Sequence, residues 1–178
     1  MANFPGQTAA PTFATPLEML RACHGRILDQ CNTLLKLKQH LDVRGCDVQA
    51  QQAAQAILRY FDTAGQYHHQ DEELDLFPLL LASTNTTAHE LVRHLLGDHQ
   101  AMNEAWLLLR PRLQDITQGI ATPLEARLVA DFNTAYAQHI SLENSQLLPL
   151  AAQLLDEQQI SELGDKMARR RGAEFKPP

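Results

Sequence analysis

Residues 68–78 read HHQDEELDLFP, and residues 139–149 repeat the pattern as HISLENSQLLP. In each stretch a histidine is followed four residues later by a glutamate, and both stretches end in a leucine, a second apolar residue and a proline. Residues four apart lie one turn apart on the same face of an α-helix. Two such faces, brought together, predict a site at which imidazole and carboxylate groups can hold a pair of metal ions.

The composition is that of a helical protein with an acidic surface. The 178 residues carry a formal net charge of -6, which argues against nucleic acid or an anionic membrane as a partner. No apolar run approaches the ~20 residues of a membrane-spanning helix, and the N-terminus lacks the pattern of a secretory signal. The three cysteines have no C-x-x-C spacing, which fits the reducing cytoplasm and favours neither a disulfide framework nor a zinc-thiolate site.

Four long amphipathic helices and one short helix are predicted after residue 14. Their expected N-caps are, in chain order, Thr15, Asp47, Thr87, Thr122 and Asp156. Thr15 and Thr122 both begin the sequence Thr-Pro-Leu-Glu, in which threonine caps the helix, proline takes its first position and glutamate reaches back. Thr87 is followed three residues later by glutamate, which is a third capping box.

Long helices with short connections predict an all-α fold, an antiparallel up-down-up-down four-helix bundle with a short C-terminal fifth helix. We assign residues 15–172 to the bundle, residues 1–14 to a flexible N-terminal arm and residues 173–178 to a tail. The basic run 169–171 is predicted to be a solvated helix end, where the helix dipole favours positive charge.

Polar residues interrupt the apolar inward faces of the four long helices at six positions, namely His24, His68, Glu72, His99, His139 and Glu143. Counted from the predicted turns, at about 1.5 Å per residue, the six positions fall within a few ångströms of one height and form one layer. Burying six such groups without partners costs several kcal/mol, which bound dications would offset. Four imidazoles and two carboxylates without thiolates favour non-haem iron, with manganese as the rival metal. If the carboxylates bridge two metals, each metal keeps an open position for dioxygen, peroxide or nitric oxide.

One ambiguity of register lies in the second helix. His69 and Glu73 have the same spacing as His68 and Glu72. Alignment of residues 68–78 with residues 139–149 through their prolines favours His68 and Glu72. Glu73 then lies about 100° around the helix. There its side chain is either solvated or in contact with one of the metal-binding side chains.

The remaining polar residues of the helices have less specific predictions. Three histidines without matching partners are predicted at the surface, namely His40, His89 and His94. Three residues either hydrogen-bond near the site or pack as ordinary side chains, namely Tyr67, Tyr136 and Asn103.

At the six inward positions the chain resembles the hemerythrin-like HHE cation-binding family. The resemblance covers residues 15–172 and is carried by His24, by the stretch 68–78, by His99 with Met102, and by the stretch 139–149. The last stretch is especially similar to diiron proteins implicated in the repair of damaged iron-sulfur centres. The resemblance implies a non-haem site of two iron ions bridged by the two glutamates. An oxo or hydroxo bridge is expected as well, and manganese or zinc are possible substitutes for iron.

Two departures from the family pattern bear on function. Oxygen-carrying hemerythrins of invertebrates have a further histidine where this chain has Leu95, and His94 lies about 140° around the helix from His99. The set is therefore of the four-histidine, two-glutamate variety, and simple oxygen carriage is disfavoured. The repair proteins also carry an N-terminal domain, for which residues 1–14 leave no room.

The leading hypothesis is a cytoplasmic non-haem diiron protein that binds or senses a small oxidant, namely dioxygen, nitric oxide or peroxide. His24 and His68 would ligate one iron, and His99 and His139 the other. The alternatives are a diiron redox enzyme or iron donor in stress response or iron-sulfur repair, and a bundle that metal merely staples together. Ferritin-type storage is disfavoured because the chain has no Glu-x-x-His pair. The sequence makes no prediction about oligomeric state.

Overall fold

The computed structural model describes residues 11–173, and all regular secondary structure in that range is helical. The elements are α1 (Pro16–Arg44), α2 (Val48–Phe61), α3 (Ala64–Gln70), π1 (Asp71–Leu76), α4 (Phe77–Ala82), α5 (Thr86–Thr117), α6 (Ala126–Leu142), π2 (Glu143–Leu147), α7 (Leu148–Leu154) and α8 (Glu157–Arg170). The all-α prediction is confirmed. The predictions for residues 1–10 and 174–178 lie outside the described residues.

The long helices pack side by side in a closed ring. α1 contacts α2, α2 contacts α5, α5 contacts α6, and α6 contacts α1. α8 lies outside this ring and packs against π1 and α1. In the predicted N-terminal arm, the N–H of Thr15 donates a hydrogen bond to the carbonyl of Thr12. Phe13, within this turn, is partly buried against the core.

The apolar interior is divided into two clusters. One includes Ile27, Phe61 and Phe132, and the other includes Leu20 and Leu147. Along each long helical segment, the inward polar residues lie between residues of the first cluster and residues of the second. The polar layer therefore crosses the whole interior and separates the two apolar clusters.

Two π-helical segments, which the sequence pattern did not predict, interrupt the long helical stretches of the chain. π1 continues α3 into α4, within the second predicted long helix, and π2 continues α6 into α7, within the fourth. The N–H of Phe77 donates to the carbonyl of Glu72, and the N–H of Leu148 donates to the carbonyl of Glu143, five residues earlier in each case. Each segment is followed within two residues by a proline, which lacks an N–H and would clash with the carbonyl four residues back in a regular helix. The wider π turn accommodates the ring, and it places both glutamates where the helix is locally unwound.

Two of the predicted helix starts are confirmed. Asp47 accepts a hydrogen bond from the N–H of Ala50 at the start of α2. Asp156 and Gln159 form a reciprocal capping box at the start of α8.

Three predicted threonine caps are wrong. α1 begins at Pro16 as expected, but the Thr15 side chain makes no capping bond, and its hydroxyl donates instead to the carbonyl of Thr12. α5 begins at Thr86 and is capped by Asn85, whose side-chain oxygen accepts from the third N–H of the turn.

The third error concerns α6, which begins at Ala126 rather than at Pro123. The Thr122 hydroxyl is held by the Asp115 carboxylate at 3.1 Å, and Leu124 is buried in the first apolar cluster. These tertiary contacts keep residues 122–125 out of the helix although the local sequence favours a start there.

The prediction of a solvated basic run at the end of α8 is also wrong for two of its three residues. The side chain of Arg169 is 77% exposed, whereas those of Arg170 and Arg171 are only 15% and 21% exposed. Both guanidiniums pair with Asp71, a fully buried residue of π1, and Arg170 also pairs with Asp75. A buried carboxylate requires a compensating charge, and α8 supplies it.

Among the described residues, none of the helices combines the length and the apolar character needed to cross a lipid bilayer.

Candidate metal centre

The six inward polar residues form one buried cluster in the layer between the two apolar clusters. None of the six is more than 3% exposed, and both glutamates are fully buried. His24 comes from α1, His68 from α3 and His99 from α5, while His139 comes from α6. The two glutamates come from the two π segments.

Each glutamate lies between two histidines. Glu72 has its Oε1 at 3.2 Å from His68 Nε2 and its Oε2 at 3.4 Å from His99 Nε2. Glu143 has its Oε2 at 3.0 Å from His24 Nε2 and at 3.3 Å from His139 Nε2.

Two groups of candidate ligands share both carboxylates. His24 and His68 with the two glutamates form one group, and His99 and His139 with the same glutamates form the other. Within each group the ligand atoms lie within 4.8 Å of one another. The two groups are therefore adjacent and have two residues in common.

The polar atoms of the cluster are close together but mostly not hydrogen-bonded. His24 Nε2, His68 Nε2 and all four carboxylate oxygens are buried without a hydrogen-bond partner among the described residues, although several lie 3.0–3.4 Å apart. Buried polar atoms normally have such partners. Lone pairs that converge without hydrogen-bond geometry suit a cation, and nitrogen and oxygen donors without thiolate suit a first-row transition metal. The residues present therefore fit bound metal cations.

Three of the histidines are oriented by an oxygen atom at the outer ring nitrogen. The Nδ1 of His24 lies 2.8 Å from Asn144 Oδ1, and the Nδ1 of His99 lies 2.7 Å from Glu73 Oε1. The Nδ1 of His139 lies 3.3 Å from Asp98 Oδ2. An N–H donated from Nδ1 leaves the Nε2 lone pair directed into the cluster, which is the tautomer that binds a metal.

Sequence reasoning did not identify Asn144 and Asp98 as orienting residues. The available signal was that Asn144 directly follows Glu143 and Asp98 directly precedes His99. Of the two roles left open for Glu73, the structure shows contact with His99.

Burial and the mutual charges set the protonation states of the cluster. Burial lowers the pKa of His68 to about 4, so this imidazole is neutral near neutral pH. Burial also lowers the pKa of His24, but the close negative charges of Glu143 and Glu72 outweigh it and raise that pKa to about 10. Burial raises the pKa of both glutamates, yet the histidines around them hold it below its usual range. Both carboxylates are therefore ionised, as metal binding requires.

His69 and Glu73 lie beside the buried cluster rather than in it. The ring of His69 stacks on that of His99, with centroids 4.1 Å apart, and lies parallel to Tyr136 at 6.0 Å. With His99, these two residues form a third group of atoms that could hold a cation.

The other predicted positions have varied surroundings. His94 is exposed as predicted. His40 and His89 are instead half-buried. His40 is hydrogen-bonded to the Asp47 carboxylate, and His89 is hydrogen-bonded to the carbonyl of Ser83. Leu95 is fully buried in the second apolar cluster.

Tyr67, Tyr136 and Asn103, which were predicted either to hydrogen-bond near the site or to pack as ordinary side chains, have three different environments. Tyr67 lies against the Arg171 guanidinium, and Asn103 is exposed. Tyr136 packs between His69 and the first apolar cluster.

Comparison with known proteins agrees with the geometry. The model of the hemerythrin HHE cation binding domain matches residues 15–151. An uncharacterized protein of Haemophilus influenzae is 31% identical over 163 residues, which make up 90% of this chain and 92% of that protein. The match to the family model covers the helices from α1 to α6, the first part of α7, and all six inward polar residues. The chain therefore belongs to the hemerythrin HHE cation-binding family.

Proposed function

We propose that the chain is a non-haem diiron protein that binds or senses a small oxidant, namely dioxygen, nitric oxide or peroxide. One observation carries the proposal, namely the two groups of ligand atoms that share Glu72 and Glu143. In this proposal His24 and His68 would hold one iron, His99 and His139 would hold the other, and both glutamates would be shared between them.

The donor chemistry favours iron over the other candidate metals. Imidazole and carboxylate without thiolate suit non-haem iron, whereas structural zinc sites are usually rich in cysteine. When bound, two irons would supply open coordination positions and a reversible change of oxidation state, which is the chemistry that dioxygen, nitric oxide and peroxide require. Manganese and zinc are the alternative metals for the same donors.

The protein residues would hold the ligands and exclude bulk water. Asn144, Glu73 and Asp98 keep three of the imidazoles in one orientation. The apolar clusters on both sides of the layer keep the carboxylates dry, which strengthens their interaction with a cation. Such largely apolar surroundings favour binding of a small neutral ligand.

The proposal also includes the directions of the four long helices, the cellular location and the kind of partner. We take the four long helices to run up-down-up-down, which agrees with their closed ring of neighbours. A cytoplasmic setting is supported by three free thiols in the described part of the chain. The net charge of -6 supports a small-molecule partner rather than nucleic acid or an anionic membrane.

Metal analysis tests the proposal directly. Protein purified and reconstituted without oxygen should contain about two irons per chain, because two sets of donors share two bridges. The variant Glu143→Leu removes one of the two shared glutamates and should lose most of the iron. Glu157→Leu, at an exposed helix start, should retain it. Wild-type protein that binds no iron under these conditions would contradict the proposal.

Rapid mixing distinguishes a binding or sensing role from catalysis. The reduced protein should give one stoichiometric spectral change with dioxygen, nitric oxide or hydrogen peroxide. Continuous consumption of oxidant in the presence of a chemical reductant, faster than with free iron, would instead favour a redox enzyme.

A further inference from the structure

A pocket reaches the candidate metal centre from the surface. Its volume is about 390 Å³, and its lining includes His99, which is only 3% exposed. Four side-chain amides and a single leucine line the rest of the pocket with His69 and Glu73. An ion that enters this pocket meets oxygen and nitrogen donors along its walls.

His69 and Glu73 supply donors in the pocket that the buried cluster does not use. His69 Nε2 is buried and has no hydrogen-bond partner among the described residues. The Glu73 side chain is 40% exposed and faces solvent on one side while it contacts His99 Nδ1 on the other. A donor atom of each of the three residues lies within 4.8 Å of the others.

His99 belongs to both the pocket and the buried cluster. Its Nδ1 is 2.7 Å from Glu73, in the pocket, and its Nε2 is 3.1 Å from His139 Nε2, inside the cluster. One ring thus connects a solvent-facing group of donors to a group that is at most 3% exposed.

We propose that His69, Glu73 and His99 form a third, weaker cation site through which divalent metal ions reach the buried centre. The proposal rests on the proposed function, because a loading site has meaning only if the centre binds metal. It also gives a role to the second histidine–glutamate pair of residues 68–78. The first pair faces the buried centre, and the second pair, one residue on, faces the pocket.

The two nitrogens of His99 allow the same ring to serve at both stages. With its proton on Nε2, the ring offers the Nδ1 lone pair to a cation held with His69 and Glu73. With its proton on Nδ1, the ring donates to Glu73 and directs the Nε2 lone pair into the centre. The change between the two states moves one proton from Nε2 to Nδ1 and requires no oxidant or reductant.

Uptake of Co²⁺ by the metal-free full-length protein tests the proposal. The variant His69→Phe removes both nitrogen donors but keeps an aromatic ring between His99 and Tyr136. The variant Glu73→Gln removes the charge and keeps the shape. His94→Phe is the matched control, because His94 is on the surface of α5 with a 65% exposed side chain.

Two measurements are made on each protein, namely the rate of filling of the buried positions by stopped-flow absorbance and the number of ions bound at equilibrium. We expect His69→Phe and Glu73→Gln to load about tenfold more slowly than wild type, because the pocket loses a donor in the first and its charge in the second. His69→Phe should still bind two ions in the buried positions. With excess Co²⁺, wild type and His94→Phe should bind a third ion only weakly, because His99 then serves the filled centre through Nε2 and leaves His69 and Glu73 as the remaining donors. The other two variants should lose this third ion.

The possible failures point to different conclusions. Equal loading rates for wild type and His69→Phe would overturn the loading role, and retention of the third ion by that variant would overturn the site. If circular dichroism shows that His69→Phe is unfolded, Glu73→Gln decides in the same way. Wild-type protein that binds no Co²⁺ in the buried positions would overturn the proposed function and the loading site together.

Discussion

At the residue scale, contacts at the Nδ1 atoms of the inward histidines fix the orientation of the imidazole rings. Asn144 holds His24, Glu73 holds His99 and Asp98 holds His139. The corresponding nitrogen of His68 is buried and has no partner within the described range. Among the described residues, the Nδ1 side of His68 is therefore held by packing, whereas each of the other three rings has one oxygen atom at its Nδ1.

Removal of the oxygen that holds His24 should weaken metal binding. In Asn144→Leu the ring loses its partner at Nδ1 but keeps its Nε2 in the cluster, so we expect metal affinity to fall by about 10- to 100-fold. Competition with a chelator measures the affinity. Gln146→Leu, an exposed amide two residues on, is the control and should be unchanged. Equal affinities of the two variants would contradict an orienting role for Asn144.

Metal binding should also release protons near neutral pH. The pKa of His24 in the metal-free protein is raised to about 10 by the two glutamates, against the effect of burial, so the ring carries a proton that must leave before Nε2 can ligate. Apparent affinity should therefore rise between about pH 6 and about pH 8, as competition by that proton weakens.

Calorimetry in buffers of different ionisation enthalpy counts the protons released on binding. His68, whose pKa is lowered to about 4, contributes none in this range. A binding enthalpy that does not depend on the buffer would contradict the assigned state of His24.

At the scale of secondary-structure elements, α8 contacts the part of the second helix that carries Glu72. Asp71 and Asp75 flank this glutamate in π1, and both are buried. Arg170 and Arg171 pair with them across about 100 residues of sequence. Burial raises the pKa of Asp71 even with the two guanidiniums in contact, so its charge depends on those partners. The family match ends before α8 begins.

Loss of one of these guanidiniums should destabilise the fold. Arg170→Met leaves two buried carboxylates with weaker compensation, and we expect the free energy of unfolding of the metal-free protein to fall by about 3 kcal/mol. Arg169→Met removes a neighbouring arginine that pairs with Asp165 at the surface and should cost less than about 0.5 kcal/mol. Urea denaturation compares them, and similar losses for the two variants would contradict the buried role of Arg170.

At the scale of the whole molecule, a polar layer divides the core. The layer places four imidazoles and two carboxylates between apolar clusters that would otherwise pack continuously. Such a layer destabilises the metal-free protein. Bound cations would offset this cost, so stability and metal content should change together.

Metal removal should lower the melting temperature. At a free metal concentration of about 100 times Kd, binding stabilises the folded state by about 2.7 kcal/mol. For a chain of this size that corresponds to roughly 5–10 °C. Differential scanning calorimetry before and after chelation measures the shift, and Glu143→Leu should show a much smaller one. An unchanged melting temperature of the wild-type protein would contradict a stabilising role for metal.

The features that the sequence predicted correctly depend on interactions between residues that are close together in the chain. Helical periodicity and the repeated histidine–glutamate spacing are local properties, and they predicted the all-helical fold and the set of residues that meet in the buried cluster. The caps at Asp47 and Asp156 were predictable for the same reason, since each bonds within its own first turn.

The errors arise where a distant contact competes with a local preference. Residues 122–125 have a strong helix-start sequence, but Asp115 and the core hold them in an extended loop. Arg170 and Arg171 resemble an ordinary solvated helix end, yet two buried aspartates at positions 71 and 75 bind them.

The sequence by itself thus determined that six residues lie on inward helical faces at one height, because that depends on helix pitch and on distance from the turns. Tertiary structure decided how the stretch 68–78 divides its two histidine–glutamate pairs. It places His68 and Glu72 in the buried cluster and His69 and Glu73 in the pocket beside it. A rotation of one residue, about 100°, separates these outcomes, and only the packing of the neighbouring helices around π1 selects between them.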